Sequence, residues 1–118
     1  MIKDNLIQQK SFEFALEIIN LYKHLKENNE FVLSKQILRS ATSIWANVEE
    51  AIGWQTKKDF LAKIYIALKE ARETKYRLRL LDTSQSIKYD YTKYIADIES
   101  IINILTKITK TTSESLKK

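Results

Sequence analysis

Residues Thr56 to Leu81 read TKKDFLAKIYIALKEARETKYRLRLL. Phe60, Ile64, Ala67, Ala71, Thr74, Leu78 and Leu81 recur in steps of four and three, the spacing of one apolar face on a long α-helix. Thr56 opens the segment, with Asp59 three positions on; a threonine oxygen there accepts one of the amide hydrogens that a helix start leaves orphaned. No glycine or proline interrupts the run. A helix of this length with one apolar face has to bury that face against other helices, so the rest of the chain is read for partners.

Three more segments carry the same period. Phe14, Ala15, Ile18, Ile19, Tyr22 and Leu25 mark a first helix over about residues 8–28, ending at Asn28-Asn29, where asparagine tolerates a left-handed backbone. Leu38, Ala41, Trp45, Val48 and Ile52, with Ile37 and Ile44 beside them, mark a second over about 31–52, with Gly53 as the expected left-handed terminator. The segment above is the third, about 56–82. After the polar break TSQS, Asp90 is placed to cap a fourth helix over about 90–112, whose face is Tyr91, Tyr94, Ile95, Ile98, Ile102, Leu105 and Ile108; the remaining tail is expected to fray. Short connections between four such helices predict an all-α, antiparallel up-down-up-down four-helix bundle, a single domain over 1–118.

Composition agrees. The 118 residues are 44% hydrophobic, with no proline, one glycine and no cysteine. A chain of this size makes one domain, and the lack of cysteine removes disulfides, thiol catalysis and zinc-thiolate sites. No uncharged apolar run approaches the roughly eighteen residues a membrane span needs, and the first thirty residues lack a signal-peptide core. The expected location is the cytoplasm. The net charge of +5 is concentrated at 56–84, which holds eight basic against four acidic side chains.

The second helix also carries RSATSIWANVEEA at 39–51, crowded with side chains that compete with helix hydrogen bonds. Gln36, Ser40, Ser43, Asn47 and Glu50 follow three-four spacing and form a second, polar stripe facing away from the Leu38–Trp45–Ile52 seam. Asp59, Lys63, Ile66, Glu70, Glu73 and Arg77 form a matching stripe on the third helix. If the hairpin between these helices turns near residue 54, positions whose numbers sum to about 108 lie level, which puts Arg39 beside Lys69 and Glu70, Ser43 near Tyr65 and Asn47 near Leu61. Such a face either meets water, as amphipathic helices ordinarily do, or, since small residues suit close approach, meets another subunit.

The stretches KSFEFALEIINLYKHL, EFVLSKQILRSATSIWANVEEA and KKDFLAKIYIALKEARETKYRLRLL, in that order, resemble the 23S ribosomal RNA intervening-sequence protein family, closely over about residues 10–81. The resemblance implies a small bacterial cytoplasmic bundle, often encoded within or near ribosomal RNA genes, that assembles into a homopentamer and whose role is poorly defined. A more distant likeness runs to accessory proteins of diversity-generating retroelements, where a pentamer engages a reverse transcriptase and nucleic acid. Carried onto matching positions, the family pattern picks out Arg39, Ser40, Ser43, Asn47, Glu50, Asp59, Phe60, Lys69, Glu70 and Glu73. Of these, Arg39, Ser40, Ser43, Asn47, Glu50, Glu70 and Glu73 are expected to be architectural or interface residues, with Arg39 pairing with Glu70 and Glu73. Trp45 stands where the family often has a small residue; it is either a core aromatic or a change to the close helix packing.

Enzyme chemistry finds little to work with. His24 is the sole histidine, so paired Glu-x-x-His di-metal motifs are excluded and any Ser-His-acid triad would have to use it; His24 itself is expected at the surface, favoured by the helix C-terminus. Glu49 and Glu50 are adjacent and diverge by about 100°. No catalytic residue, metal or cofactor is expected. What remains is a basic and aromatic row on the third helix, Lys58, Tyr65, Lys69, Arg72, Tyr76 and Arg79, where cationic groups would neutralise phosphates and tyrosine rings would stack on unpaired bases. The same residues also suit plain bundle packing, tyrosine at the core boundary with lysine and arginine stems over its edge. The sequence therefore predicts a non-enzymatic self-assembling bundle, a homopentameric RNA or other nucleic-acid adaptor, with an oligomeric scaffold for a protein partner as the alternative and no membrane contact.

Overall fold

A computed structural model of the chain describes residues 2–53 and 56–117, with side chains from residue 6 onward. Four helices follow in order, α1 Ile2–Glu27, α2 Leu33–Gly53, α3 Lys57–Ser84 and α4 Thr92–Leu116. Each packs on its neighbours in sequence, and α1 meets α4 to close the bundle. The diagonal pairs, α1 with α3 and α2 with α4, have no Cα atoms within 8 Å of each other. The result is an all-α bundle of 51 × 22 × 21 Å.

The helix ends follow local chemistry. α1 stops in a Schellman motif: Asn29 is left-handed at φ 66°, the Glu30 amide donates to the Leu25 carbonyl at 2.9 Å and the Asn29 amide to Lys26 at 3.0 Å, an arrangement that satisfies carbonyls the helix end leaves free. α2 starts on a side chain the periodicity gives no hint of. The Glu30 carboxylate accepts from the Leu33 amide at 2.9 Å and the Ser34 amide at 2.6 Å, which places a negative charge at the positive end of the helix. At α3, Thr56 caps the helix and accepts from the Asp59 amide at 3.1 Å. Asp90 accepts from the Thr92 amide at 3.0 Å, although Tyr91, one residue on, is the cap position of α4. The α3 end uses left-handed Gln85, φ 47°.

Three boundary expectations are corrected. Gly53 stays helical, with no left-handed glycine among the described residues; Trp54 and Gln55 lie outside them. α1 begins at Ile2 because the buried row extends upstream through Ser11 and Ile7. α4 continues to Leu116 instead of fraying near 112: Ile108 and Thr109 are still buried, and Lys57 at the start of α3 donates to Ser115.

The core is one continuous cluster running the length of the bundle. On α3 all seven positions of the apolar repeat are buried, joined by Leu68. On α2 the seam lies one step round from the expected one. Ile37, Ala41, Ile44, Val48 and Ala51 are buried, whereas Leu38, Trp45 and Ile52 are half-buried flanks. α2 packs between α1 and α3, so the direction between its two neighbours points inward, and the two rows on either side become contact edges. Each fully buried Ile or Val contributes about 1.5–3 kcal/mol on transfer from water.

Candidate nucleic-acid interface

α3 turns one face to the core, one edge to α2 and the other to α4. Thr74 and Glu70 lie on the α2 edge, the first bonded to Ser40 and the second beside Arg39. Lys75 on the α4 edge pairs with Glu99 at 3.3 Å. The remaining surface faces outward, and all six residues of the basic and aromatic row fall on it: Lys58, Tyr65, Lys69, Arg72, Tyr76 and Arg79 are exposed. Tyr65 and Tyr76 keep 50% and 59% of their surface open, so they stand beyond the boundary-packing position that would tuck them against the core. Lys58, Lys69, Arg72 and Arg79 take part in no salt bridge among the described residues. At about 1.5 Å per residue the row runs about 31 Å from Lys58 to Arg79, with the two tyrosines about 16 Å apart.

The polar residues of α2 separate into different roles. Ser40, expected on a face turned away from the core, is fully buried, as is Thr74 opposite it. Their hydroxyls are 2.7 Å apart, Thr74 donating to Ser40, and Ser40 reaches the Ile37 carbonyl at 3.3 Å. Asn47 donates to the Ser43 carbonyl at 2.9 Å and to its hydroxyl at 3.2 Å, so this pair satisfies itself along one helix. Glu50 sits 3.7 Å from Lys63 across the hairpin. Arg39 lies 3.9 Å from Glu70, its own side chain 64% exposed and that of Glu70 12%. Glu73 is taken by Arg77, one turn along α3, also at 3.9 Å, and does not join Arg39. The expected three-membered cluster is thus two separate pairs.

Trp45 is not a core ring. It packs against Phe12 of α1 with ring centres 5.7 Å apart, and its indole donates to Glu49 at 3.1 Å. Glu49 also accepts from Gln8 at 2.8 Å. Beside them, Phe12, Leu16, Ile19, Arg39, Trp45 and Ala46 line an apolar groove of about 450 Å³ between α1 and α2, with Phe12 and Leu16 nearly half exposed. The groove was legible in one respect: α1 has more apolar residues than one face can hold, and Phe12, Leu16 and Ile19 repeat at four and three.

Two further clusters sit at the α1/α4 side and at one end. Lys93 donates to Glu17 across the seam, in a pocket of about 280 Å³ that also holds Lys10, Glu13 and Asp97. Burial raises the Glu17 carboxyl, but bonds from Lys93 and Asp97 outweigh it and hold the group below its usual range. Burial and the neighbouring Glu17 carboxyl push Asp97 the other way, upward. At the bundle end, His24 is not a free surface residue: its ring stacks on Tyr89 at 4.1 Å. Buried Tyr91 donates to the Ile87 carbonyl at 2.8 Å, and burial together with the Tyr89 hydrogen bond pushes the Tyr94 phenol up to about 12. Among the described residues no group of three or more His, Cys, Asp or Glu is arranged to hold a metal ion, and no helix is long and apolar enough to cross a membrane.

A model of the 23S rRNA-intervening sequence protein family matches residues 3–107, a span that takes in α3, its outer row and most of the rest of the bundle. The chain belongs to that family. Among solved structures it is similar to a Bacteroides thetaiotaomicron protein of unknown function from the S23 ribosomal protein family, at 50% identity, covering 92% of this chain and 98% of that one with a TM-score of 0.86. No functionally curated protein matches. The family name concerns ribosomal RNA, and the solved relative has no established activity, so the intervening-sequence bundle is not placed in any known enzyme class.

Proposed function

We propose that this chain is a non-enzymatic, self-assembling cytoplasmic bundle, a homopentamer, that carries RNA on the outer face of α3. One observation supports this above the others: Lys58, Tyr65, Lys69, Arg72, Tyr76 and Arg79 share that face, exposed, with the four cations unengaged by any described carboxylate. Guanidinium and ammonium groups neutralise phosphates, and exposed tyrosine rings stack on bases without regard to sequence. A row about 31 Å long spans about nine stacked nucleotides at about 3.4 Å each. The charge on one copy gives weak binding; several copies in one assembly bind one polymer with far greater avidity.

The test is RNA binding by the purified protein, with a short structured ribosomal RNA fragment, across a range of salt. Binding should weaken steeply as salt rises. Lys69→Glu, Arg72→Glu and Arg79→Glu together should abolish it with the native mass unchanged; undiminished binding would remove the row from the account. The second reading, a scaffold for a protein partner, draws on the apolar α1/α2 groove and predicts association that salt hardly affects.

A further inference from the structure

The α1/α2 groove is one of two unlike apolar surfaces on this chain. The other is the part of α3 nearest α2, where Ala62, Ile66, Glu73 and Leu80 fall on one line at spacings of four and seven. Ile66 and Leu80 are 43% and 57% exposed. This line adjoins the basic row, with Lys69 and Tyr76 one turn from Ile66, Glu73 and Leu80. We propose that the groove of one copy receives the α3 ridge of the next, with Ile66 seated against Phe12 and Trp45 and Glu73 facing Arg39. The proposal rests on the self-assembly read above and adds the faces, the register and the partner residues.

Geometry supports a second copy as the occupant. The two surfaces differ, so their contact is heterologous, which gives a ring where the rotation closes and a filament where it does not. They occupy adjoining sides of a four-helix bundle, whose outward directions are about a right angle apart; repeating that turn closes after about four or five copies. When the ring axis runs along the bundle, residues of one copy meet residues at the same height on the next. The Phe12–Trp45 contact and the Gln8–Glu49 bond fix the level of α1 against α2. The Arg39–Glu70 and Glu50–Lys63 pairs fix α2 against α3. Those levels bring Phe12, Trp45 and Ile66 to one height within about a residue's rise of 1.5 Å, and place Arg39 level with the turn that holds Glu70 and Glu73.

Charge is complementary as well. The groove side is rimmed by exposed Lys23, Lys35 and Arg39, and its carboxylate Glu49 is already held by Gln8 and Trp45. On the ridge side, level with Arg39, is the turn of α3 that holds Glu70 and Glu73, with Lys69 next to them. Arg39, mostly exposed and only 3.9 Å from its nearest carboxylate, has donors to spare for the neighbour's Glu73.

The chain has no cysteine, which makes disulfide trapping clean. In the double variant Phe12→Cys, Ile66→Cys the two thiols sit on α1 and α3, helices with no Cα atoms within 8 Å of each other, beyond what a disulfide spans. A bond between them therefore forms only between copies. Mild oxidation should give a ladder on a non-reducing gel that ends at the ring size, collapses with reductant, and is limited to dimers in either single variant. Ile66→Glu, at an exposed position, should keep its helix content and lose the oligomer. A closed oligomer by native mass whose double variant gives no ladder, or an Ile66→Glu oligomer of unchanged mass, would overturn these faces and leave self-assembly standing. A monomeric native protein would overturn both.

Discussion

Removing the buried Ser40–Thr74 pair one hydroxyl at a time should give a non-additive result, and the structure sets its size. Both side chains are fully buried, on different helices, with oxygens 2.7 Å apart. Ser40→Ala removes no carbon and leaves no cavity of note. It takes away one partner, while Thr74 keeps the Glu70 carbonyl at 2.8 Å. The expected cost is about 1 kcal/mol, the ordinary net value of one internal hydrogen bond. Thr74→Val keeps the shape, leaves Ser40 with only the long contact to Ile37 at 3.3 Å, and should cost about 1–2 kcal/mol because a buried hydroxyl loses its good partner. The double variant removes both polar groups together and should be no worse than the costlier single, so the coupling energy should be about 1 kcal/mol. Urea unfolding of all four proteins at one fixed protein concentration makes the comparison, since apparent stability depends on concentration wherever copies associate. The singles should lower the midpoint without changing the slope. Strictly additive losses in the double variant would refute the reading of these hydroxyls as one interhelical bond.

The carboxyl pair gives a pH dependence with opposite signs. Asp97 is raised, so its contribution is complete at pH below about 3.8 and is lost as pH rises through its folded value; Glu17 is lowered, so its contribution is present above about 4.5 and lost as pH falls through its folded value. Asp97→Asn, which takes the half-buried charge away from Glu17, should raise the thermal midpoint at pH 7 and lose that advantage in acid; no difference between pH 4 and pH 7 would refute a raised Asp97. Glu30→Ala strips the carboxylate from the start of α2 and should cost about 1–2 kcal/mol in urea unfolding, with an unchanged midpoint counting against the cap. Arg39→Ala should cost the isolated bundle under about 1 kcal/mol, since the pair with Glu70 is long and exposed on the arginine side, yet should reduce the native mass; an intact oligomer would assign Arg39 to neither assembly nor folding. Tyr91→Phe removes one buried hydroxyl bonded at 2.8 Å and should cost about 1 kcal/mol, a loss that urea midpoints would register.

α3 was the most legible element. Its seven-residue repeat maps onto seven buried positions, because a helix with neighbours on one side only needs a single apolar stripe and the sequence writes that stripe directly. α2 was less so. Its two candidate seams differ by one residue step, about 100°, and each contains good apolar residues; which one faces the centre depends on where α1 and α3 sit, a fact outside the α2 sequence. Ser40 follows from the same cause. Read alone, a serine belongs on a polar stripe, but with Thr74 opposite it becomes a buried interhelical bond. Glu30 was missed because a glutamate cap acts through a loop conformation set by left-handed Asn29, which the helical period does not encode.

The candidate interface divides in the same way. That Lys58, Tyr65, Lys69, Arg72, Tyr76 and Arg79 lie together on one side of one helix follows from spacing alone, since the helical period fixes angular position wherever the helix packs. That this side is open, with its tyrosines half or more exposed, is a property of three other helices and of where they leave α3 uncovered. Fold class, helix number and the absence of cysteine chemistry were determined by the sequence by itself, because they depend on composition and on periods of a few residues. The pairing of Arg39 with Glu70 but not Glu73, the outward position of Trp45 and the groove beside it, and the opposed shifts of Glu17 and Asp97 were decided only by tertiary structure. Each depends on distances between residues far apart in the chain, and those distances are set by how whole helices pack, not by any local preference.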